Sequence, residues 1–434
     1  MGLALLETWL APFRNGAKPQ PDVGIAPSDS ASVDAFGRLR VSEPADLFET
    51  QFEFDNHPLL WETFTTGSAA VAHNYNKSSV DMMVSGSSSV VVRQTRGYFR
   101  YQPGKSHMMT LTYEHEPTFD TLWRVGYLDD RDGIFLEHSG TSTNIVLRSS
   151  VSGDVVETRI QQSEWNWDRF DGLNDTKFNP SGIKLDHAMS QHLAIDLQWQ
   201  GVGRARVGFF IDGVIHVAHK FRGSNAQAGP FMRTANLPIR YELRGLPGIA
   251  QQRTSLQICQ ALTSEGGVTD ERGQPFSAAF GITGSAVTTR VPLMTIRPTA
   301  LHAGHVNRTM MVPQFLTIMT DNDPVYWELI HGGVLVSGSV SWVPVNDESA
   351  IEMDRGATLI SGGLRVQSGY VSLSAGGAAS GHLIEVIRSK LRLALDIQGA
   401  HPTAFPTDNL SIVVTRIGAG TTNVHGTIEG VEFH

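Results

Sequence analysis

The chain is short of several things that a protein of 434 residues usually carries. It has one cysteine, Cys259, so no internal disulfide can form and the fold must hold by burial alone. Charged residues are 18% of the total, against about a quarter in an average globular domain. No apolar run reaches the ~18 residues of a membrane-spanning helix. Leu3-Ala4-Leu5-Leu6 is cut by Glu7 and has no basic residue before it, so it does not read as a secretory signal. Lysine is scarce too: seven, against 27 arginines, in a chain of net charge −9. That balance argues against a nucleic-acid binder, which would carry clustered positive charge. Arginine in excess suits interfaces, because its planar fork forms bidentate pairs and stacks on aromatics.

What is present points to β structure. Hydrophobic residues make up 41%, enough for sizeable cores, and glycine is 43 residues. From about residue 45 to 265 strand follows strand. Leu193, Ile195, Leu197 and Trp199 alternate onto one face, and Ala205, Val207, Phe209 and Ile211 form the inner face of the next strand. Asp212-Gly213 then reads as a tight hairpin turn. The return strand is expected to place Ile215, Val217 and Phe221 on one side. About 200 residues of this pattern suit a two-sheet jelly roll better than an immunoglobulin-sized sandwich. Small residues from Ser264 onward break the rhythm, so 266–290 reads as a linker or crossover. A second β-rich unit occupies 291–434, with strands expected near Leu293–Ile296, Gln314–Met319, Val334–Trp342, Gly363–Val366, Leu391–Ile397 and Ser411–Ile417. The expected fold is therefore all-β: a jelly-roll, concanavalin-like β-sandwich, then a smaller β-sandwich, behind an extended N-terminal arm.

The arm is residues 1–44. Leu6, Trp9 and Leu10 fall at helical spacing, and Pro12, Pro19, Pro21 and Pro27 make a tether of the stretch beyond them. Such a helix docks either on its own domain or on a neighbouring subunit. Phe36 is an apolar anchor, and Arg38 and Arg40, two apart, project together from an extended segment. They suit acidic groups on another chain, or belong to the first strand of the same jelly roll.

Candidate chemistry is thin. Glu114 and Glu116 share one side of a probable strand, the arrangement a glycosidase needs, but Thr118 stands where a further acid would be expected. Asp129–Gly133 and Asp168–Asp175 are acidic turns without the twelve-residue calcium-loop pattern. His302 and His305 lack a third ligand, and Cys259 reads as a buried, inert thiol. No phosphate loop, nucleophile elbow or dinucleotide fingerprint occurs. No catalytic residue, metal or cofactor is therefore assigned. Trp165 and Trp167, with Phe170, suit packing, a protein interface or glycan binding.

The block Asp34-Ala35-Phe36-Gly37-Arg38-Leu39-Arg40-Val41-Ser42-Glu43-Pro44, with Leu47-Phe48-Glu49 soon after it, resembles the opening signature of a group of tailed-bacteriophage virion proteins. The likeness continues in Arg93–Lys105, Asp130–Phe135, Trp165-Asn166 with Asp171-Gly172, Pro180–Gly182, Gly203–Gly213 and Asn236–Glu242. It spans roughly residues 34 to 265 and does not extend beyond 290. The resemblance implies a non-enzymatic structural component of the tail, neck or fibre assembly, made in the bacterial cytoplasm and incorporated into the particle. It implies a homo-oligomer that contacts other virion proteins rather than nucleic acid or membrane. Two other functions fit the residues: a receptor-recognition protein that binds host surface glycans, and a polysaccharide-degrading enzyme using Glu114 and Glu116.

Overall fold

The computed structural model describes residues 44–433 apart from 174, 176, 268–272, 373–380, 387–392 and 394–407. Residues 45–265 form two large antiparallel sheets packed face to face around one core, an all-β sandwich. One sheet runs, in spatial order, Val214–Arg222, Arg204–Ile211, Gln191–Gln198, Ser106–Glu114, Arg253–Glu265, Ser79–Val84 and Ala69–Asn74. Its eighth strand, Ala45–Gln51, pairs with the C-terminal half of Arg253–Glu265. The facing sheet runs Val156–Gln161, Ser142–Ser149, Gly133–Ser139, Thr121–Leu128, Ile239–Gly245, Val90–Thr95 and Trp61–Thr66.

The alternation read from the sequence sets which side chains fill the gap. Leu193, Ile195 and Leu197 lie opposite Phe209, Val207 and Ala205, all fully buried. From the facing sheet come Trp123, Val125, Tyr127, Leu136, Ile145 and Tyr241. Burial of this many large apolar side chains, at roughly 1.5–3 kcal/mol each, supplies what a disulfide-free chain needs. Asp212 and Gly213 both take positive φ, +50° and +78°, as a two-residue turn that matches the strand twist requires.

The return strand departs from simple alternation. A bulge between Val207 and Gly208 on the pairing shifts the register, so Val217 lies opposite Gly208 while His219 lies opposite Val207. Ile215 and Val217 therefore face outward and only Phe221 faces the core, correcting the expectation that all three share a side. The extra residue, Ala218, is itself buried.

Residues 274–433 carry the remaining sheets around a second core that includes Leu293, Ile296, Leu316, Trp327, Ile412 and Ile428. One sheet joins Gln274–Ile282, Val424–Phe433, Met310–Thr320 and Gly381–Val386; the other joins Trp342–Pro344, Ile351–Asp354, Val291–Pro298, Leu410–Arg416, Val325–His331 and Leu364–Val371. The strand Gln274–Ile282 falls inside the stretch read as a linker. Its inward positions include Phe276 and Ala278, and its outward ones Ser277 and Ala279, so small residues on both faces hid the period. The expected strand Val334–Trp342 is two, Val334–Gly338 and Trp342–Pro344, in different sheets. Of Leu391–Ile397 only Leu393 is described; it is buried and bridges to Met311.

Candidate functional site

Leu6, Trp9, Leu10, Phe36, Arg38 and Arg40 lie outside the described residues. Trp165 is not available to a partner, which corrects its reading as an interface candidate. The loop that carries it is fastened along the edge strands Val214–Arg222 and Val156–Gln161, because the N–H groups of Trp167 and Asp168 both donate to the Ala218 carbonyl, at 3.1 Å. That inserts the Trp165 indole among Phe170 and Phe209, with its N–H donating to Ile160 O. Trp167 stays 40% exposed, with the Lys220 ammonium 2.8 Å from its ring centroid.

The strand bearing Glu114 ends there, leaving Glu116 exposed beyond it. Glu114 faces the Lys77 ammonium at 3.7 Å and accepts from the Ser190 hydroxyl. Cys259 is exposed, not buried, because it lies beside a register shift in its strand, opposite Gln51. His302 and His305 pair across a two-residue hairpin. Among the described residues no group of three or more His, Cys, Asp or Glu side chains is placed to hold a metal.

Both acidic turns are structural. Asp168, 3% exposed, accepts from the backbone N–H groups of Phe170 and Ser181. Asp129 accepts from the N–H groups of Arg131 and Asp132, and Asp132 from those of Ser150 and Arg233. Where a cation would sit between Asp129 and Asp132, the guanidinium of Arg308 from the second unit enters instead, 2.7 and 3.1 Å from their carboxylates. Arg96 reaches the other way to Asp408 at 2.7 Å, and Arg100 lies 5.4 Å from the Phe433 ring.

Three of the blocks that carry the sequence resemblance, Arg93–Lys105, Asp130–Phe135 and Asn236–Glu242, meet at this junction. Phe99 bridges Leu237, Tyr101 N–H donates to Asn236 Oδ1, and the Tyr127 hydroxyl lies 3.0 Å from Phe99 O and 2.9 Å from Ala235 O. Arg240 is buried and binds Gln94, Glu242 and Asp130. Arg93 is fully buried without a carboxylate partner among the described residues; its three nitrogens donate to Gln257 Oε1, Thr63 Oγ1 and Asn56 O. Burial pulls its pKa down to about 10.

Arginine is also laid across the outer face of the seven-stranded sheet. Arg124, Arg148, Arg159, Arg240 and Arg244 interleave with Glu137, Glu157 and Glu242, with Arg124 and Arg148 flanking Phe135. Burial opposes ionisation of Glu242, but Arg240, Arg244 and Arg124 outweigh it and hold its pKa at about 2. Five of the arginines thus pack against the chain's own sheet, where a long stem covers apolar surface.

A histidine cluster escaped the sequence reading. His115 stacks on Trp123 and on His138, whose ring meets His187 at 4.6 Å. Both ring nitrogens of His115 and His138 are buried without a hydrogen-bond partner among the described residues. Burial, reinforced by His187, lowers the pKa of His115 to about 3, and that of His138 falls well below the usual value. Burial lowers His187 to about 4. Three histidines scattered along the chain give no local signal.

The opposite outer face, on the eight-stranded sheet, carries a groove of about 600 Å³. Its floor is Glu49, Gln51, Thr110, Thr112, His192, Cys259 and Ala261, and its wall is Glu53, Phe54, His57 and Leu60.

No family model matches the chain, and no curated protein matches it. Solved structures similar to it include a protein of unknown function from Shewanella oneidensis, at 10% identity and TM-score 0.33, covering 54% of this chain and 93% of that one. Others are a β-glucanase from Bacillus licheniformis (12%, TM-score 0.30, 52% and 98% covered) and the lectin-like arcelin-5 of Phaseolus vulgaris (7%, TM-score 0.30, 50% and 97%). Scores this low carry no argument about what the chain binds or does.

Proposed function

We propose that this chain is a non-enzymatic structural component of a tailed-phage virion, in the tail, neck or fibre assembly, working as a homo-oligomer through contacts with other virion proteins. The observation that supports this reading is the use made of the resembling blocks. Their ionisable residues, Arg93, Arg96, Asp130, Asp132 and Arg240, are engaged in fixing loops and in holding the two units together. Blocks whose charges serve architecture in this way fit a part whose work is shape. Purified particles of the source phage, imaged by cryo-electron microscopy with this chain traced, test it directly. The expected result is a fixed copy number in a symmetric ring or bundle. Absence from the particle, or release of sugars from host polysaccharide that stops in the Glu114→Gln/Glu116→Gln double variant, overturns it.

A further inference from the structure

The groove on the eight-stranded sheet is built before any ligand arrives. Phe52 anchors its wall in the core, fully buried, and its carbonyl accepts from His73 Nε2 at 2.8 Å. Asp55 Oδ1 then accepts the His57 N–H at 2.8 Å, and the His57 ring contacts Gln51 O at 2.7 Å. His57 takes φ +49°, and its carbonyl receives the N–H groups of Leu60 and Trp61. On the floor His192 stacks on Phe210 at 4.5 Å. A wall locked by this many bonds pays little ordering entropy when a ligand settles against it.

The lining selects the ligand. It contains no lysine and no arginine but two carboxylates, Glu49 and Glu53, a balance that disfavours phosphorylated, nucleic-acid and acidic-sugar ligands. Glu49 and Glu53 are exposed carboxylates with no hydrogen-bond or ion-pair partner among the described residues, and carboxylates are acceptors for hydroxyl donors. Phe54 is 76% exposed at the same wall, an aromatic face left in water. Thr110, Thr112 and Gln51 add further polar side chains along the floor. Flat aromatic surface beside free carboxylates and neutral polar groups matches a molecule with an apolar ring face edged by hydroxyls. The volume, about 600 Å³, lies within the range of small-ligand sites.

We propose that this groove binds a neutral oligosaccharide, one sugar ring resting on Phe54 and its hydroxyls donating to Glu49 and Glu53. The site is independent of the assembly reading and would give a virion component a direct contact with a host surface glycan.

The full chain is probed on an array of neutral and anionic oligosaccharides, and the strongest neutral binder is then titrated calorimetrically. At least one neutral glycan binds, and Phe54→Ala and the double change Glu49→Gln/Glu53→Gln each weaken it tenfold or more. Phe119→Ala, at a comparably exposed ring outside the groove, leaves the affinity unchanged. All these side chains are exposed, so unaltered thermal unfolding confirms that the variants are folded. Binding of anionic glycans or of an oligolysine peptide in place of neutral sugars, no glycan binding, or neutral binding indifferent to Phe54→Ala and the double variant, overturns the proposal.

Discussion

At the scale of single residues, burial decides roles that residue type leaves open. Trp165 and Trp167 are two apart in one loop, yet one is in the core and the other keeps 40% of its surface in water. Cys259 and Glu114 show the same point, since a register shift and a strand end placed them. The histidine cluster turns burial into a pH response. His115 and His187 have folded pKa values of about 3 and 4, below the ordinary unfolded value near 6.5. Between those limits the unfolded chain binds more protons, so the stability these rings contribute is complete above about pH 6.5 and is lost as the pH falls toward 4. Each ring can add up to about 1.4 kcal/mol per pH unit in that window. Thermal unfolding measured from pH 7.5 to 4.5 should show a falling melting temperature, and His115→Phe with His138→Leu should flatten it. An equal slope in the variant would place the acid sensitivity elsewhere.

At the scale of elements, strand positions were legible wherever apolar and polar residues alternate. Gln191–Gln198 and Arg204–Ile211 lie where that pattern puts them, within a residue or two. The failures have separate causes. Gln274–Ile282 alternates in burial but not in hydrophobicity, and the bulge at Val217–His219 adds a residue that period-two counting cannot register. The bulge depends on Gly208: a β-carbon there would lie 2.2 Å from the His216 carbonyl oxygen. Gly208→Ala is expected to cost about 2 kcal/mol or more, because backbone rather than a movable side chain must yield. Urea denaturation measures this, and a loss below about 0.5 kcal/mol would show that the hairpin simply re-registers.

At the scale of the whole molecule, the two units are joined by charge. Removing Arg308 leaves the carboxylates of Asp129 and Asp132, 7% and 0% exposed, without their cation. The intact chain is expected to unfold in one transition, and Arg308→Ala to cost about 3–5 kcal/mol and split that transition into two. Calorimetry of the full chain reads both effects, and one unshifted transition would mean that apolar contacts hold the junction. The arm gives the second prediction at this scale. Read from the sequence as a flexible tether, the roughly twenty residues after Leu10 would span about 25 Å, enough to carry Leu6, Trp9 and Leu10 to a second subunit of the proposed oligomer. Deleting residues 1–30 should keep the circular dichroism of the sandwich and lower the oligomer mass in light scattering. Full mass in the truncated chain would place the subunit contact elsewhere.

The sequence by itself determined the all-β class, the inner faces Leu193–Leu197 and Ala205–Phe209, and the turn at Asp212-Gly213, because each arises from local period and local backbone preference. Only the tertiary structure decided that Arg308 fills the acidic turn 179 residues before it, that three scattered histidines share one buried cluster, and that a free wall at Phe54 faces a floor drawn from four strands. Those features depend on which strands become neighbours and where registers shift, and pairing between distant segments leaves no trace in the pattern of either one.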